Sequence, residues 1–411
     1  MTVLFLSQIV PFPPHGGVLQ RGFNIVRELG RRCDVHLLAF VHPDALPSAD
    51  TLAESRAALE PYCRTIEYFP LWVKRSRMAL AAGLAASAAS PLPFSVIAHR
   101  SRAFRRRVSH HLAARAIDVL HVDTIALGQF VDPAVKVPSA LTHHNVESRL
   151  MERRAAVETR WHARRYLLRE ASKLRAYEIR ESPRFDVNIV MSDQDAIALA
   201  DMAPGVRTAV VPNGVDTDYF QSDHGELETP ALIYTGGMNM FANKDAVMYF
   251  LRDIWPEVVS QVPSARFVVV GQDPPAELKE LAERDARIEV TGYVADIRPY
   301  VRQSAVYVVP LRVGGGTRLK VLDAMAMGKA VVATSVGCEG IDVADGEQLI
   351  VADAPRTFAL ETVALLLDPQ RRRILGTSAR RRVAERYSWG VIGDRLIEAY
   401  EMAARAARPT R

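Results

Sequence analysis

Apolar residues along the chain fall into two rhythms. Short continuous runs rich in Val, Leu, Ile and Phe recur at 3–6, 35–40, 117–122, 139–142, 185–191, 208–211, 231–234, 266–270, 288–290, 305–311 and 330–333. Runs of that kind predict strands buried on both faces, as in parallel sheets. Between them apolar positions recur at helical spacing. Val18, Phe23, Val26 and Leu29 predict a helix over 18–30. Leu319, Leu322, Met325 and Ala326 predict another over 318–327, ended by Gly328. Residues 51–110 are helical in tendency with poor strand signals, broken at Pro91 and Pro93. Long helical character also marks 147–181, 355–382 and the stretch from Trp389 to Tyr400. Strand and helix alternate throughout, so the pattern predicts doubly wound α/β sheets. Ligands of such sheets sit beyond the carboxyl ends of the strands.

Length changes the picture, because 411 residues exceed one ordinary core and predict two domains. Charged residues make up 24% and the net charge is only +5, which argues against a dedicated nucleic-acid binder. That charge suits an anionic substrate or an anionic membrane face. Cys33, Cys63 and Cys338 have no metal-ligand spacing and cannot all pair, which predicts a reducing compartment. The opening MTVLFLSQIV lacks a basic leader and reads as a first strand. The Ala-rich stretch 78–90 is too short to span a bilayer.

Candidate chemistry concentrates between Ser304 and Ser335. A buried strand runs into Gly314, Gly315 and Gly316, Thr317 can cap a helix, and Arg318 and Lys320 fall in its first turn. Cations there oppose the helix dipole, so an anionic ligand is one reason for them. Free amides and cations together suit a polyphosphate. The alternative is an ordinary turn whose Arg318 and Lys320 face water. Gly16 and Gly17 sit between the first strand and its helix, on the ligand side. His143 and His144 end another strand and point at the crevice, with no carboxylate or third ligand at metal spacing. Five arginines lie within 100–107, and more run through 149–184 among interleaved glutamates. They read as solvated, paired helix faces or as an anionic contact.

The stretch 304–335 resembles the nucleotide-sugar site of the retaining glycosyltransferase family 4. DAMAMGK at 323–329 is similar to the family's E-A-M-A-x-G-K, with Asp323 where the second of two glutamates stands and Gly315 at the first. GGGTRLK at 314–320 resembles one branch of the family, in which glycine backbone and charged residues hold the donor. His144-Asn145, the turn NGVD at 213–216 and the turn at 292–294 also resemble family segments, so the likeness covers nearly the whole chain.

That resemblance implies the α/β GT-B fold, two Rossmann-like doubly wound domains facing across a cleft. It implies an acceptor-side domain at 1–216 plus 391–411 and a nucleotide-sugar domain at 217–390. It implies donor contacts at Gly16, Gly17, Gly237, Tyr293, Val294, Gly315, Gly316, Thr317, Arg318, Leu319 and Lys320. Catalytic roles fall on His144, Lys244, Arg318 and Asp323, with His143 the one-residue alternative to His144. Gly237 stands where most members carry an arginine, and Arg318 is the neighbouring cation to replace it. Asp323 would hold a ribose or sugar hydroxyl, since the family retains configuration without a dedicated enzymic base. The co-substrate implied is a nucleoside diphosphate sugar, UDP- and GDP-sugars foremost, with no tightly bound cofactor and no metal. The acceptor implied is a glycan, a lipid-linked sugar or a small molecule. The location implied is cytoplasmic, or peripheral on the inner membrane face, without nucleic acid. The rivals are an epimerase or hydrolase of nucleotide sugars and a non-catalytic binding scaffold. No GK[ST] loop and no early G-x-G-x-x-G support ATPase or dehydrogenase chemistry.

Overall fold

A computed structural model describes residues 1–14, 17–46, 48–114, 116–132, 134, 136–221, 229–314 and 318–407. The chain divides into two units, Met1–Pro212 with Ile392–Arg411, and Asn213–Val391.

In the first unit the apolar runs form an all-parallel sheet of seven strands. They are β1 (Thr2–Ser7), β2 (Asp34–Val41), β3 (Thr65–Pro70), β4 (Val119–Val122), β5 (Ser139–His143), β6 (Val187–Val190) and β7 (Thr208–Val210). Their order is β3-β2-β1-β4-β5-β6-β7. The winding reverses between β1 and β4, and ligands of such sheets gather at that reversal. Val3 to Leu6 and Leu37 to Ala39 are completely buried, as continuous apolar runs demand.

Strand β3 corrects the helical reading of 51–110. It pairs with β2 from His36 opposite Thr65 to Val41 opposite Pro70. TIEYFP lacks a continuous apolar run because it lies at the sheet edge, where Pro70 is tolerated. Its Glu67 takes Arg107 Nε at 2.5 Å and His111 Nε2 at 2.8 Å, so Arg107 is held by a carboxylate.

The long helical stretch after β5 is two helices, Glu147–Val157 and Trp161–Glu181. Glu158 breaks it by holding Arg160 through its backbone N–H at 2.9 Å and its guanidinium at 3.1 Å. The closing helix, Trp389–Ala407, sends Tyr400 against β4, where its hydroxyl meets His121 Nδ1 at 2.7 Å.

The second unit repeats the plan with β8 (Thr229–Thr235), β9 (Arg266–Val270), β10 (Ile288–Gly292), β11 (Ser304–Val309), β12 (Ala330–Ala333) and β13 (Ile350–Val351). The order is β10-β9-β8-β11-β12-β13, with the reversal between β8 and β11. Phe250, Trp255, Phe267 and Phe358 stack one face of this sheet. Strand β13 is too short to have left an apolar run.

Candidate functional site

The loop that leaves β11 returns as the helix Leu319–Ala326 beside the carboxyl end of β8. Gly315, Gly316 and Thr317 lie outside the described residues. Gly314 adopts φ +150°, and a Cβ there would meet the Arg318 guanidinium at 2.9 Å. Glycine at 314 therefore makes room for Arg318 as well as for the backbone. Arg318 is buried, donates from Nε to the Val336 carbonyl at 3.0 Å, and stands 3.4 Å from Glu339.

Lys320 carries the geometry the sequence hinted at. Its Nζ donates to Tyr234 Oη at 2.8 Å and to Asn243 Oδ1 at 2.9 Å. Tyr234 donates to the same Asn243 oxygen at 2.7 Å, and Asn243 Nδ2 donates to the Gly237 carbonyl at 2.8 Å. The ammonium lies 4.1 Å from the centre of the Tyr234 ring. Gly236, at φ +149°, lets it approach, because a Cβ there would stand 2.6 Å from Nζ. Among the described residues both hydrogen bonds of this half-buried cation thus go to neutral acceptors. Burial first, then the Arg318 charge, push its pKa down to about 7, with Asp323 opposing.

Asp323 lies one turn further along the same helix face. Burial pushes its carboxyl up to about 8 against the pull of Lys320. Its Oδ1 is buried and has no hydrogen-bond partner among the described residues. Next to it, Tyr307 on β11 shares a short hydrogen bond with the Thr235 hydroxyl. The structure therefore brings Arg318, Lys320, Asp323 and Gly237 together around the β8–β11 reversal, with Leu319 on the same helix.

Lys244 is placed differently. It is exposed on the helix Phe241–Tyr249 and makes no side-chain hydrogen bond or ion pair among the described residues. Its neighbour Asn243 makes that helix's contact with Lys320. Tyr293 is 72% exposed just after Gly292, and Val294 is half-buried against the core. Asn243 and Tyr234 escaped the sequence reading. The only signal for them was an amide beside the Gly-Gly loop and a polar-tipped ring inside an apolar strand.

In the first unit Gly17 opens the helix Gly17–Gly30, while Gly16 lies outside the described residues. His144 follows β5, with Nε2 3.2 Å from Asp123 Oδ1 but not aligned for a hydrogen bond. Asp123 follows β4 and donates its N–H to the Leu6 carbonyl at 3.0 Å. Arg21 is buried on the helix after Gly17 and donates to the carbonyls of Val211 and Pro212 at 2.9 and 2.7 Å. Burial pulls its pKa down to about 10, with Asp123 opposing. His143 is turned elsewhere, to Asn188 Oδ1 at 2.9 Å, and burial pushes it down to about 4. Of the two histidines, His144 stands beside Asp123 at the β1–β4 reversal. Glu178 was also missed. It caps the helix Glu147–Val157 through Glu147 N at 2.7 Å, and burial pushes its carboxyl up to about 7.

Among the described residues no three His, Cys, Asp or Glu gather as a metal site. Among them, too, no helix is long and apolar enough to cross a membrane.

A family model described as Glycosyltransferase Family 4 matches residues 15–219, and one described as Glycosyl transferases group 1 matches 229–368. The chain is 27% identical over 227 residues to phosphatidyl-myo-inositol mannosyltransferase of Mycobacterium tuberculosis, covering 51% of this chain and 59% of that protein. It thus spans about three fifths of that relative's length. To the protein of that name from Mycolicibacterium smegmatis it is 25% identical over 333 residues, 77% of this chain and 80% of the relative. Among solved structures it is similar to sucrose-phosphate synthase from Thermosynechococcus elongatus, with TM-score 0.66, 18% identity and 98% of each chain covered. It is also similar to Anabaena Alr3699/HepE in complex with UDP, with TM-score 0.65, 15% identity, and 97% and 99% of the chains covered. Both sheets and these neighbours give the chain the GT-B fold.

Proposed function

The chain belongs to glycosyltransferase family 4, and on that premise we propose that it transfers a sugar from a nucleoside diphosphate to an acceptor hydroxyl with retention at the anomeric carbon. The observation that carries this reading is Lys320, a half-buried cation whose hydrogen bonds among the described residues go to neutral groups, at the sheet reversal where α/β ligands bind. A buried charge without an anionic hydrogen-bond partner is costly, and a diphosphate oxygen supplies that partner.

In this reading Lys320 and Arg318 hold the diphosphate. Their charge stabilises the phosphate oxygen as its bond to the sugar C1 breaks. The acceptor oxygen bonds to C1 on the same face and passes its proton to the departing phosphate. Asp323 takes a hydroxyl of the ribose or sugar with its unpartnered Oδ1. Tyr293 and Val294 face the base, and His144, beside Asp123, is the first unit's candidate for a sugar contact. Lys244, exposed on the helix Phe241–Tyr249, serves as a flanking cation. The first unit, Met1–Pro212 with Ile392–Arg411, takes the acceptor, and the second, Asn213–Val391, takes the donor. The HepE structures in complex with UDP and with UDP-glucose support a nucleotide-sugar donor.

The relatives named for phosphatidyl-myo-inositol support a lipid acceptor, and from the first unit's surface we infer attachment to the inner membrane face. Met78, Leu80 and Leu84 are exposed on the helix Arg77–Ala88, and Trp161, Tyr166 and Leu168 on Trp161–Glu181. Arg169 ties the two helices by donating to the Ala88 carbonyl at 2.7 Å. Apolar residues flanked by Arg75, Arg77, Arg164 and Arg165 form an amphipathic face suited to an anionic interface. Pelleting with anionic but not neutral vesicles, lost at high salt, is expected. Equal pelleting with both speaks against it.

The transfer itself is tested by product analysis. Incubation with UDP- and GDP-sugars and a panel of glycan and lipid acceptors should give a glycosylated product only when acceptor is present. Nuclear magnetic resonance of that product should show the donor's anomeric configuration. Free sugar formed equally with and without acceptor would favour a hydrolase.

A further inference from the structure

A cavity of about 670 Å³ opens on the first unit, apart from His144 and Asp123. Its walls are apolar and aromatic: Trp72, Leu92, Val96 and Phe130. They are pinned in place. Trp72 Nε1 donates to the Ile97 carbonyl at 3.0 Å, and Gln129 Nε2 donates to the Val96 carbonyl at 2.8 Å. The charge in the cavity is one-sided. Arg100, Arg102, Arg105 and Arg180 line it, against the single carboxylate of Glu181. Glu181 is already shared between Arg180 and Arg184. Arg105 rests on the Phe130 ring, with 5.5 Å from guanidinium carbon to ring centre. Among the described residues neither Arg100, Arg102 nor Arg105 forms an ion pair. Their neighbour Arg107 does, with Glu67.

These arginines do not serve their own helix. Arg102 and Arg105 fall in the first turn of Arg102–Ala114, which has no acidic residue there, and cations at that end oppose the dipole. Clustered guanidiniums over aromatic walls match a phosphate ester with an apolar body. The planar forks take the phosphate oxygens, and the rings take the organic part.

We propose that the cavity between Trp72, Phe130 and the Arg100–Arg105 segment is a binding site for a phosphate ester carrying an apolar group. The site is built by the first unit alone, and it does not depend on the transfer reaction. Two sources share this chemistry, the headgroup of a phospholipid and a soluble organic phosphate.

The test is binding by the full chain, followed by calorimetry and by Trp72 fluorescence, with Trp72→Phe identifying that signal. The probes are glycerol 3-phosphate, a short-chain phosphatidic acid below its micelle concentration, and vesicles of phosphatidylglycerol or phosphatidylcholine. Two double variants are compared, Arg100→Ser with Arg105→Ser in the cavity, and Arg373→Ser with Arg381→Ser on exposed positions of the other unit. The expected result is saturable binding of at least one phosphate probe, weakened about tenfold or more by the cavity pair and unchanged by the distant pair. Glycerol 3-phosphate binding with that pattern assigns a soluble ester. Binding confined to phosphatidic acid and phosphatidylglycerol assigns a lipid headgroup. Absence of saturable binding to every phosphate probe overturns the proposal. So does equal weakening by both double variants, which would show only the loss of net charge. Far-ultraviolet circular dichroism of each variant establishes that the comparison is between folded proteins.

Discussion

In the proposed donor site Lys320 is the residue on which binding turns. A lysine loses its charge readily when water is removed, and here its pKa falls to about 7 while that of Asp323 rises to about 8. The two groups are coupled, so their protons belong to the pair. The sign of the pH effect does not depend on which proton leaves first. Below both values the pair is positive, and above both it is negative. Nucleoside diphosphate affinity should therefore fall as pH rises through 7 to 8, with proton uptake on binding. Calorimetry in buffers of different ionisation heat measures that uptake. Affinity that is flat or rises across this range would place the diphosphate away from Lys320. The sequence showed Arg318, Lys320 and Asp323 through their spacing in the GGGTRLK–DAMAMGK stretch. It did not show Asn243 or Tyr234, because their role comes from β8 and β11 lying side by side. For Lys244 it left a solvent-facing position and a site role equally open, since element boundaries near a helix start are uncertain by a residue or two.

At the scale of elements, continuity of apolar residues decided what was legible. Strands β1, β2, β8, β9 and β11 are buried on both faces and announced themselves. Strand β3 carries Thr65 and Glu67 among its apolar residues and ends on proline, so it hid inside a helical stretch. The break at Glu158 hid too, because it is made by a glutamate folding onto Arg160 and not by glycine or proline. The closing helix was legible, but its anchor was not. Tyr400 and His121 are 279 residues apart and fully buried against each other. Tyr400→Phe keeps the ring and removes the hydroxyl, leaving His121 Nδ1 without its partner. The expected cost is about 1–3 kcal/mol, read from the denaturant transition that reports on the first unit. A cost near zero would mean that water or a side-chain shift replaces the hydroxyl. The variant should leave nucleoside diphosphate binding by the second unit unchanged.

At the scale of the whole molecule, two α/β units with different chemistries share one chain. The first unit holds three buried histidines in their neutral form. Burial pushes His99 and His143 down to about 4 and His121 to about 3, from an ordinary 6.5. These folded values lie below the unfolded ones, so the unfolded chain binds the extra protons. Stability should thus be constant above pH 6.5 with respect to these groups and fall as pH drops from 6.5 toward 4. Denaturant midpoints across that range test it, and His121→Phe should flatten the fall if its fold survives. A midpoint that rises on acidification would contradict the buried neutral histidines. The overall plan of strand, loop and helix, repeated in two halves, followed from apolar rhythm and length alone. Which face of each sheet collects chemistry followed only from strand order. The proposed function requires that the second unit's reversal hold a diphosphate. The most direct measurement is calorimetric titration of UDP, GDP, ADP and dTDP into the intact chain and into Lys320→Met. The expected result is saturable binding of at least one nucleotide, weakened about tenfold or more in the folded variant. Binding of none of the four, or equal affinity for intact chain and variant, would contradict it.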